Sequence, residues 1–387
     1  MVISKRGGRC RASLSAWRVA VLLINIKGML MELVVPETDH GVVCSMPGER
    51  FGYFGWPSVA RLDDGTLIAA ASGLRTQHVC PWGRTVLFAS GDEGKTWTPP
   101  RIVNDTPLDD RDAGIIHLGG GKLLLSWFTS DTRRYYGGCK EAYGDAEVAA
   151  WEPVLDCWDD ALVDKWLGAW VRISPDGNAW GDFVRVPVTA PHGPVKLHDG
   201  SLLYLGNRLG GEKGEMAAFV SLDSGRSWSE AGVVPEEAKP SDVRFVEPHA
   251  VEISPGRLIG HIRSQEANSG NLSIWQTESA DGGRTWTPPH HLGICGAPPH
   301  LLLHSSDAVV CVFGRREPPF GQRAVISRDG GASWPIECVL RDDGPDGDLG
   351  YPASVELPGG DIFTVYYQKT RAGEKASLLW TRWALPG

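Results

Sequence analysis

"SADGGRTW", residues 279–286, is a stretch in which a strand-like segment ends in Asp-Gly-Gly and restarts at Thr-Trp. The same order of Ser, Asp, Gly and Trp returns along the chain, which indicates one structural unit used several times. In such a turn the Asp carboxylate can accept amide hydrogen bonds and a Gly can take positive φ. The other copies are "SGDEGKTW" (90–97), "SPDGNAW" (174–180), "SLDSGRSW" (221–228) and "SRDGGASW" (327–334).

A second phrase accompanies each turn. It reads as an apolar pair, a tight turn at Gly or Asp, and an apolar strand, which is typical of a β-hairpin. One copy of the Ser-Asp-Gly-Trp turn follows each of the first five phrases. The six phrases are "GWPSVARLDDGTLIAAAS" (55–72), "RDAGIIHLGGGKLLLSWF" (111–128), "APHGPVKLHDGSLLYLGN" (190–207), "VEPHAVEISPGRLIGHIR" (246–263), "APPHLLLHSSDAVVCVFG" (297–314) and "GYPASVELPGGDIFTVYY" (350–367).

These repeats predict six units of four strands. Because such a unit cannot bury both of its faces alone, copies must stack around an axis. We therefore predict an all-β fold, a six-bladed β-propeller of four-stranded antiparallel blades. The sixth unit lacks its last strand, which residues 32–45 are expected to supply. The five repeated turns are expected on the outer edge of the blades, where they build the fold and do no chemistry.

The propeller is predicted to span residues 31–387 as a single domain. An insertion at about 132–167 has Trp and Leu at helical spacing, and it is either a helical pair packed on the outside or a lid near the axis. Residues 1–30 are interpreted as a leader that is disordered or a non-native start. Their basic start and the apolar run at 19–26 are compatible with a secretory signal. We expect a cytoplasmic protein, with secretion as the alternative.

Composition excludes several classes of partner. A net charge of −9 disfavours nucleic acid, which needs a concentrated positive surface. No apolar run is long enough to span a membrane, so no membrane partner is expected. The eight cysteines contain no CxxC pair, which argues against a zinc or thioredoxin-type site, and we expect no cofactor. The oligomeric state is not predictable from this sequence.

Residues at one offset in each phrase should meet at the axis of a propeller. Acidic or phenolic groups then come from blades two, four and six, around a funnel that is a default ligand site. The alternative is that Asp112 or Glu247 caps a strand or pairs with an arginine. Counting nine residues back from the turn position gives Trp56, Asp112, Pro191, Glu247, Pro298 and Tyr351.

The repeated turn resembles the Asp-box, and the chain resembles the sialidase (neuraminidase) superfamily from about residue 45 onward. Tyr351 stands nine residues before a turn Gly, as the family's catalytic tyrosine does. Glu247 lies in "EPHAVEISPG", which is similar to the family's Glu-Pro strand, and Arg263 follows that turn Gly by seven residues. Arg323, in "QRAVISRDGG", is similar to a further family arginine.

This resemblance implies an exo-acting, retaining glycoside hydrolase with a tyrosine nucleophile. Tyr351 would be the nucleophile and Glu247 the base that takes its proton. Arg263 and Arg323 would hold a substrate carboxylate through planar, bidentate hydrogen bonds. The expected partner is a carbohydrate, an acidic sugar, with a sialic acid as one candidate.

Two family residues are absent. Gly55 stands where the family has its first arginine, and the segment between Arg75 and Ser90 has no carboxylate to serve as acid/base. Arg75, Arg84 or Arg111 could replace the missing arginine in binding substrate. His78 is one candidate proton donor, since an imidazole titrates near neutral pH, and Asp112 is the other. A hydrogen-bonded loop histidine is the structural alternative for His78.

Further substrate contacts are expected from Trp56 and from three histidines at related positions, His192, His249 and His300. A metal held by these histidines is ranked below substrate contact. Two other functions remain open. One is a polysaccharide lyase or divergent glycosidase on uronic-acid glycans, with Tyr351 or a funnel histidine as base. The other is a non-catalytic glycan-binding propeller that uses Trp56 and Trp82 as stacking platforms.

Overall fold

The computed structural model describes residues 20–26, 29–209, 215–237 and 239–387, and they form six sheets arranged in a ring, in which the strands of each blade are antiparallel. The inner strands of neighbouring blades contact one another around the ring, through first strands except that blade three meets blade four with its second strand. The predicted six-bladed propeller is therefore confirmed. In blade three the first strand is split into two short strands that both pair with the second.

The strands follow the predicted phrases closely. Blade one contains Tyr53–Arg61, Leu67–Arg75, Arg84–Ser90 and Arg101–Asn104. Blade two contains Asp109–Gly119, Lys122–Ser130, Gly168–Ser174 and Val184–Val186. Blade three contains Val188–Thr189, Val195–Lys196, Leu202–Arg208, Met216–Ser221 and Ser229–Val233. Blade four contains Val243–Ser254, Arg257–Glu266, Leu272–Ser279 and His290–Cys295. Blade five contains Pro299–Leu303, Val309–Arg315, Gly321–Ser327 and Ile336–Arg341.

Blade six closes the ring with a strand from the other end of the chain. Its first three strands are Gly350–Glu356, Ile362–Gln368 and Ser377–Trp383. The fourth is Thr38–Cys44, which pairs antiparallel with Ser377–Trp383. The prediction that 32–45 supplies this strand is right from residue 38 onward.

The residues just before that strand belong elsewhere. Met29–Val35 runs parallel to the outer strand of blade five. Ala20–Ile26 pairs antiparallel with Met29–Val35 and so lies one strand further out. Pro36, which has no N–H to donate to a ladder, separates the two roles. Of the predicted leader, 1–19 and 27–28 lie outside the described residues.

The five Asp-boxes join the third strand of a blade to the fourth. In the box of blade four, Ser279 Oγ accepts from Gly283 N at 2.9 Å, while Asp281 Oδ1 accepts from Thr285 N at 2.9 Å. Thr285 Oγ1 donates to the second carboxylate oxygen at 2.7 Å. All of these acceptors are used inside the turn, which supports the structural role predicted for it.

Each Asp-box tryptophan packs into the apolar cluster between its own blade and the preceding one. A box glycine makes the same contact at closer range. Gly283 has φ of 88°, and a Cβ there would lie 2.4 Å from Cδ1 of Leu203 in blade three. Glycine is therefore required at position 283 for two reasons, the left-handed backbone conformation and the close approach of two blades.

The insertion in blade two is helical. It contains a 3₁₀ turn, Thr132–Tyr135, and four short helices, Tyr136–Tyr143, Asp145–Ala149, Glu152–Leu155 and Asp160–Trp166. Trp151 is buried against Cys80, Cys139 and Val148, and Trp158 is buried against Leu108. Its tryptophans thus attach the insertion to the propeller, as in the outside-packing interpretation. Among the described helices, none has the length and apolar character needed to cross a bilayer.

Substituting Gly283→Ala should destabilise the propeller more than Gly282→Ala. Both positions have positive φ, at 88° and 75°, but a Cβ at Gly282 meets no atom within 4 Å. We expect a loss in unfolding free energy of about 1–2 kcal/mol for Gly282→Ala from backbone strain, and about 2–4 kcal/mol for Gly283→Ala because the overpacking is added. Urea denaturation measures both. Equal losses would show that the contact with Leu203 does not matter.

Candidate active site

Four residues at the axis share an uncommon backbone conformation. Trp56, Asp112, Glu247 and Tyr351 have φ of 53°, 45°, 52° and 49°, in the left-handed region that non-glycine residues rarely occupy. At each of them the pairing between the first and second strands shifts in register, as in a β-bulge. These are the four non-proline positions that the nine-residue count selects. The surrounding fold must hold such strained positions in place.

Tyr351 and Glu247 meet across the axis. The Tyr351 hydroxyl donates to Glu247 Oε1 at 2.7 Å. Arg263 Nη1 donates to the other oxygen of that carboxylate at 2.6 Å and lies 3.3 Å from the Tyr351 hydroxyl oxygen. Asn207 fixes the Glu247 backbone, because its Oδ1 accepts from Glu247 N at 3.0 Å. A phenol from blade six and a carboxylate and a guanidinium from blade four thus form one hydrogen-bonded unit.

Arg316 adds a second guanidinium to this unit. Its Cζ lies 5.4 Å from the centroid of the Tyr351 ring, and its Nη2 donates to the Tyr367 hydroxyl at 3.4 Å. The Nε–H groups of Arg263 and Arg316 are buried, and neither has an acceptor within the described residues. A buried donor without an acceptor is costly, and two guanidinium groups beside the single Glu247 carboxylate leave the unit with an excess of positive charge.

The charges around Tyr351 set its protonation. Burial raises the pKa of the phenol well above its ordinary value, and the Glu247 and Asp112 carboxylates raise it further. Burial also favours the neutral form of Glu247, but the Arg263 charge and the hydrogen bonds from Tyr351 and Arg263 outweigh it, so the pKa of that carboxyl is below its ordinary value. The resting state is a neutral phenol that donates to an ionised carboxylate.

A cavity of about 760 Å³ reaches this unit at Glu247 and at Asn207, and its volume is within the size range of ligand sites. Four arginines and two carboxyl groups contribute to its wall, together with His78 and apolar side chains. Asp112 and Glu247 form its inner part. The charged lining residues are Arg111, Arg134, Arg208, Arg244, Asp112 and Glu247.

The Asp112 carboxyl is buried on the wall of this cavity. Burial is the main reason that its pKa is raised to about 7, Arg111 opposes the shift and Glu247 adds to it. No hydrogen bond from another described residue reaches the Asp112 carboxyl. Asp112 is therefore a carboxylic acid that can give or take a proton near neutral pH.

His78 forms a pair with a carboxylate. Its Nδ1 lies 2.9 Å from Asp348 Oδ1 and 3.0 Å from the Tyr53 hydroxyl, which itself donates to Asp348 at 3.0 Å. Burial lowers the pKa of the imidazole although the Asp348 hydrogen bond opposes that shift. The ring also lines the cavity. His78 is thus a neutral imidazole at neutral pH, and its hydrogen bonds to Asp348 and Tyr53 fix its position.

Two predicted substrate contacts are corrected by their burial. Trp56 is 1% exposed, and the guanidinium groups of Arg75 and Arg111 lie over its ring at 4.9 and 4.2 Å from the centroid. Arg75 is fully buried and its Nη1 and Nη2 donate to both carboxylate oxygens of Asp109, at 2.5 and 2.9 Å. Trp56 is therefore covered, and Arg75 cannot take the place of the missing family arginine. Arg111 lines the cavity and keeps that possibility.

Arg323 is also placed differently from the expectation. Its Nη1 donates to the backbone oxygens of Gln322 and Arg341, and its Nε lies 3.6 Å from Glu337. None of these contacts belongs to the Tyr351 unit. The third strand of blade five directs Arg323 toward Glu337 of the fourth strand. Arg316, just after the second strand, lies beside Tyr351 instead. Arg84 likewise pairs with Asp105, at 3.1 Å.

The three histidines cluster together beside the Tyr351 unit. Ring centroids are 4.3 Å apart for His249 and His300, 5.0 Å for His192 and His300, and 6.5 Å for His192 and Tyr351. Burial lowers the pKa of all three well below the ordinary value. Their packing is that of a neutral core cluster rather than of substrate contacts. Across the described part of the chain, no group of three or more His, Cys, Asp or Glu is arranged to hold a metal ion.

Sequence reasoning missed several neighbours of Tyr351, and one count would have found some of them. Arg263 follows its turn Gly by seven residues, and the same spacing gives Asn207 in blade three and Tyr367 in blade six. Arg316 breaks this count, because it follows its turn residue, Asp307, by nine. The Asp348 partner of His78 had no signal in the sequence.

The fold and the site together define a sialidase-like propeller with a tyrosine–glutamate–arginine centre. A family model described as "BNR repeat-like domain" matches residues 168–364, just over half of the chain. The chain belongs to this family. No curated protein matches it.

Solved structures of similar fold include a protein of unknown function from Dyadobacter fermentans DSM 18053, with a TM-score of 0.72 and 22% identity, over 91% of this chain and 100% of that one. A mutant of the NanB sialidase from Streptococcus pneumoniae gives a TM-score of 0.63 and 12% identity, over 89% and 70%. The intramolecular trans-sialidase from Ruminococcus gnavus gives a TM-score of 0.60 and 16% identity, over 89% of this chain and 97% of that one. At these identities the similarity establishes the fold alone.

Proposed function

We propose that the protein is a retaining glycoside hydrolase that acts on a terminal acidic sugar, with sialic acids among the candidates. One observation carries the proposal. Beside the Tyr351–Glu247 pair lie two guanidinium groups, those of Arg263 and Arg316, against the single carboxylate of Glu247. A sugar carboxylate would pair with these guanidinium groups and would place the anomeric carbon near the tyrosine.

The chemistry follows from the protonation states. In the first step the Tyr351 oxygen bonds to the anomeric carbon while its proton passes to Glu247, and Asp112 protonates the departing glycosidic oxygen. In the second step ionised Asp112 takes a proton from water, which attacks the same carbon. The Tyr351–carbon bond breaks, and Glu247 returns the proton to the phenolate. Two displacements at one carbon retain its configuration.

A tyrosine suits an acidic substrate for an electrostatic reason. A carboxylate nucleophile would be repelled by the substrate's own carboxylate, whereas a phenol stays neutral until Glu247 accepts its proton. Arg263 and Arg316 together carry two positive charges against the single charge of Glu247. The unit therefore has one positive charge in excess, which favours an anion over a neutral sugar.

The His78–Asp348 pair favours a second candidate, a lyase acting on a uronic-acid glycan. Its neutral imidazole could remove the proton next to the sugar carboxylate, the bond to the leaving oxygen would break, and Asp112 would protonate that oxygen. The product would then be an unsaturated sugar. The glycan-binding alternative has lost its main stacking surface, because Trp56 is buried.

The substitution Tyr351→Phe should abolish turnover without unfolding the protein. Removing a nucleophile should lower kcat by at least about 10³-fold, whereas the ring keeps its packing. Tyr367→Phe is the matched control, since its hydroxyl also lies in the unit but is bonded to Arg316 and Asp348. We expect it to lose about tenfold or less. Fluorogenic sialosides, uronides and neutral glycosides should be screened with all three proteins.

The products of this screen separate the candidate functions. Hydrolysis of an acidic glycoside that is lost in Tyr351→Phe supports the proposal. An ultraviolet-absorbing unsaturated product that is lost in a His78→Ala variant would replace the proposal by the lyase. Binding without turnover of any substrate would favour the recognition propeller.

Asp112→Asn tests the proton donor, and Asn tolerates the left-handed φ of this position. On an alkyl glycoside of the preferred sugar, kcat/KM should fall about 10²- to 10⁴-fold. On a dinitrophenyl glycoside, whose leaving group needs no proton, the loss should be about tenfold or less. Because the raised pKa keeps Asp112 protonated only below about 7, wild-type kcat/KM on the alkyl glycoside should decline as pH rises through 7. Equal losses on both substrates would exclude Asp112 as the donor.

A further inference from the structure

The mouth of the active-site cavity has a chemical character of its own. Asp112 and Glu247 lie toward the inner end, while the exposed lining comes from Arg134 and Tyr135 of the insertion and from Arg244 of blade four. The two parts share one cavity. A ligand held by the Tyr351 unit would therefore extend past these exposed residues.

The arginines at the mouth are poorly neutralised. Arg133 makes two contacts with Asp131, at 2.9 and 3.0 Å, and leaves Arg134 only a longer one of 3.6 Å to the same carboxylate. Arg244 is exposed and forms no ion pair with any residue that the structure describes. Arg208 differs, because Glu215 and Glu230 both pair with it. Free positive charge at the mouth therefore belongs to Arg134 and Arg244.

An aromatic ring lies beside this charge. The Tyr135 side chain is 50% exposed, although most large apolar groups of the chain are buried. Leu209, another of the few exposed large apolar side chains at 39%, lines the same cavity. An exposed ring next to cationic groups is suited to the apolar face of a sugar whose substituents are acidic.

We propose that the mouth is a leaving-group subsite for a second acidic sugar. Arg134 and Arg244 would pair with its carboxylate and Tyr135 would pack on its ring. The natural substrate is then a glycan in which the terminal acidic sugar is joined to another acidic sugar, not to a neutral one. This inference rests on the proposed function, because it takes the Tyr351 unit as the place of the terminal sugar.

Binding to the inactive Tyr351→Phe protein tests the inference without turnover. Calorimetry would compare probes that share a terminal acidic sugar, disialic acid against sialyllactose and digalacturonic acid against galacturonosyl-rhamnose. We expect the diacidic member of one pair to bind about 3- to 10-fold more tightly, as two exposed charge contacts would give. The preference should shrink at high salt.

The double substitution Arg134→Gln and Arg244→Gln should reduce that preference to about twofold or less. The control is Arg371→Gln, an arginine that is 84% exposed in blade six and should keep the preference. Equal binding of the paired probes, or a preference that survives the double substitution, would overturn the subsite while leaving the proposed function standing. Failure of every probe to bind would instead overturn the acidic-sugar function, and the subsite with it.

Discussion

The pairing of Thr38–Cys44 with Ser377–Trp383 is the interaction on which the rest of the molecule depends. It completes blade six from the opposite end of the chain and so closes the ring. The closed ring holds blades four and six, on either side of blade five, around one axis. Tyr351 and Glu247, separated by 104 residues in sequence, then come within hydrogen-bond distance. The Asp-boxes serve the same end from outside, by fixing the spacing of successive blades.

Inside this ring the decisive property is an imbalance of charge. Near the axis two carboxylates each serve two arginines, since Asp109 is shared by Arg75 and Arg111 and Glu247 lies beside both Arg263 and Arg316. A buried positive excess is expensive unless an anion compensates for it. The same field keeps Glu247 ionised, whereas burial raises the pKa of Asp112 to about 7. Two carboxyl groups with separated pKa values are what acid–base chemistry at one centre requires.

The sequence was enough to predict the fold and the inner ring of residues, because both are periodic. Repeated phrases show the blades, and one offset selects Trp56, Asp112, Glu247 and Tyr351, all four in left-handed backbone. Residues that depend on side-chain direction were not predictable. Arg323 and Arg316 both lie near the end of a blade-five strand, and only packing reveals which one turns to Tyr351.

Long-range partners were hidden for a related reason. Asp348 approaches His78 from a loop that no repeat pattern describes. The accessibility of Trp56 was also beyond reach, because its burial follows from two guanidinium groups brought over the ring by blades one and two. Sequence periodicity shows which residues lie at the axis of the propeller. It does not show whether neighbouring side chains cover them.

Trapping the glycosyl–enzyme intermediate tests the central claim most directly. A fluorinated glycosyl fluoride of the acidic sugar slows hydrolysis of the intermediate, because the second fluorine disfavours an oxocarbenium-like transition state. Mass spectrometry of the digested protein should find one glycosyl group on the peptide that contains Tyr351, present in Tyr367→Phe and absent in Tyr351→Phe. A glycosyl group on any other residue, or turnover of the sugar with no adduct at all, would contradict the assignment of Tyr351 as the nucleophile.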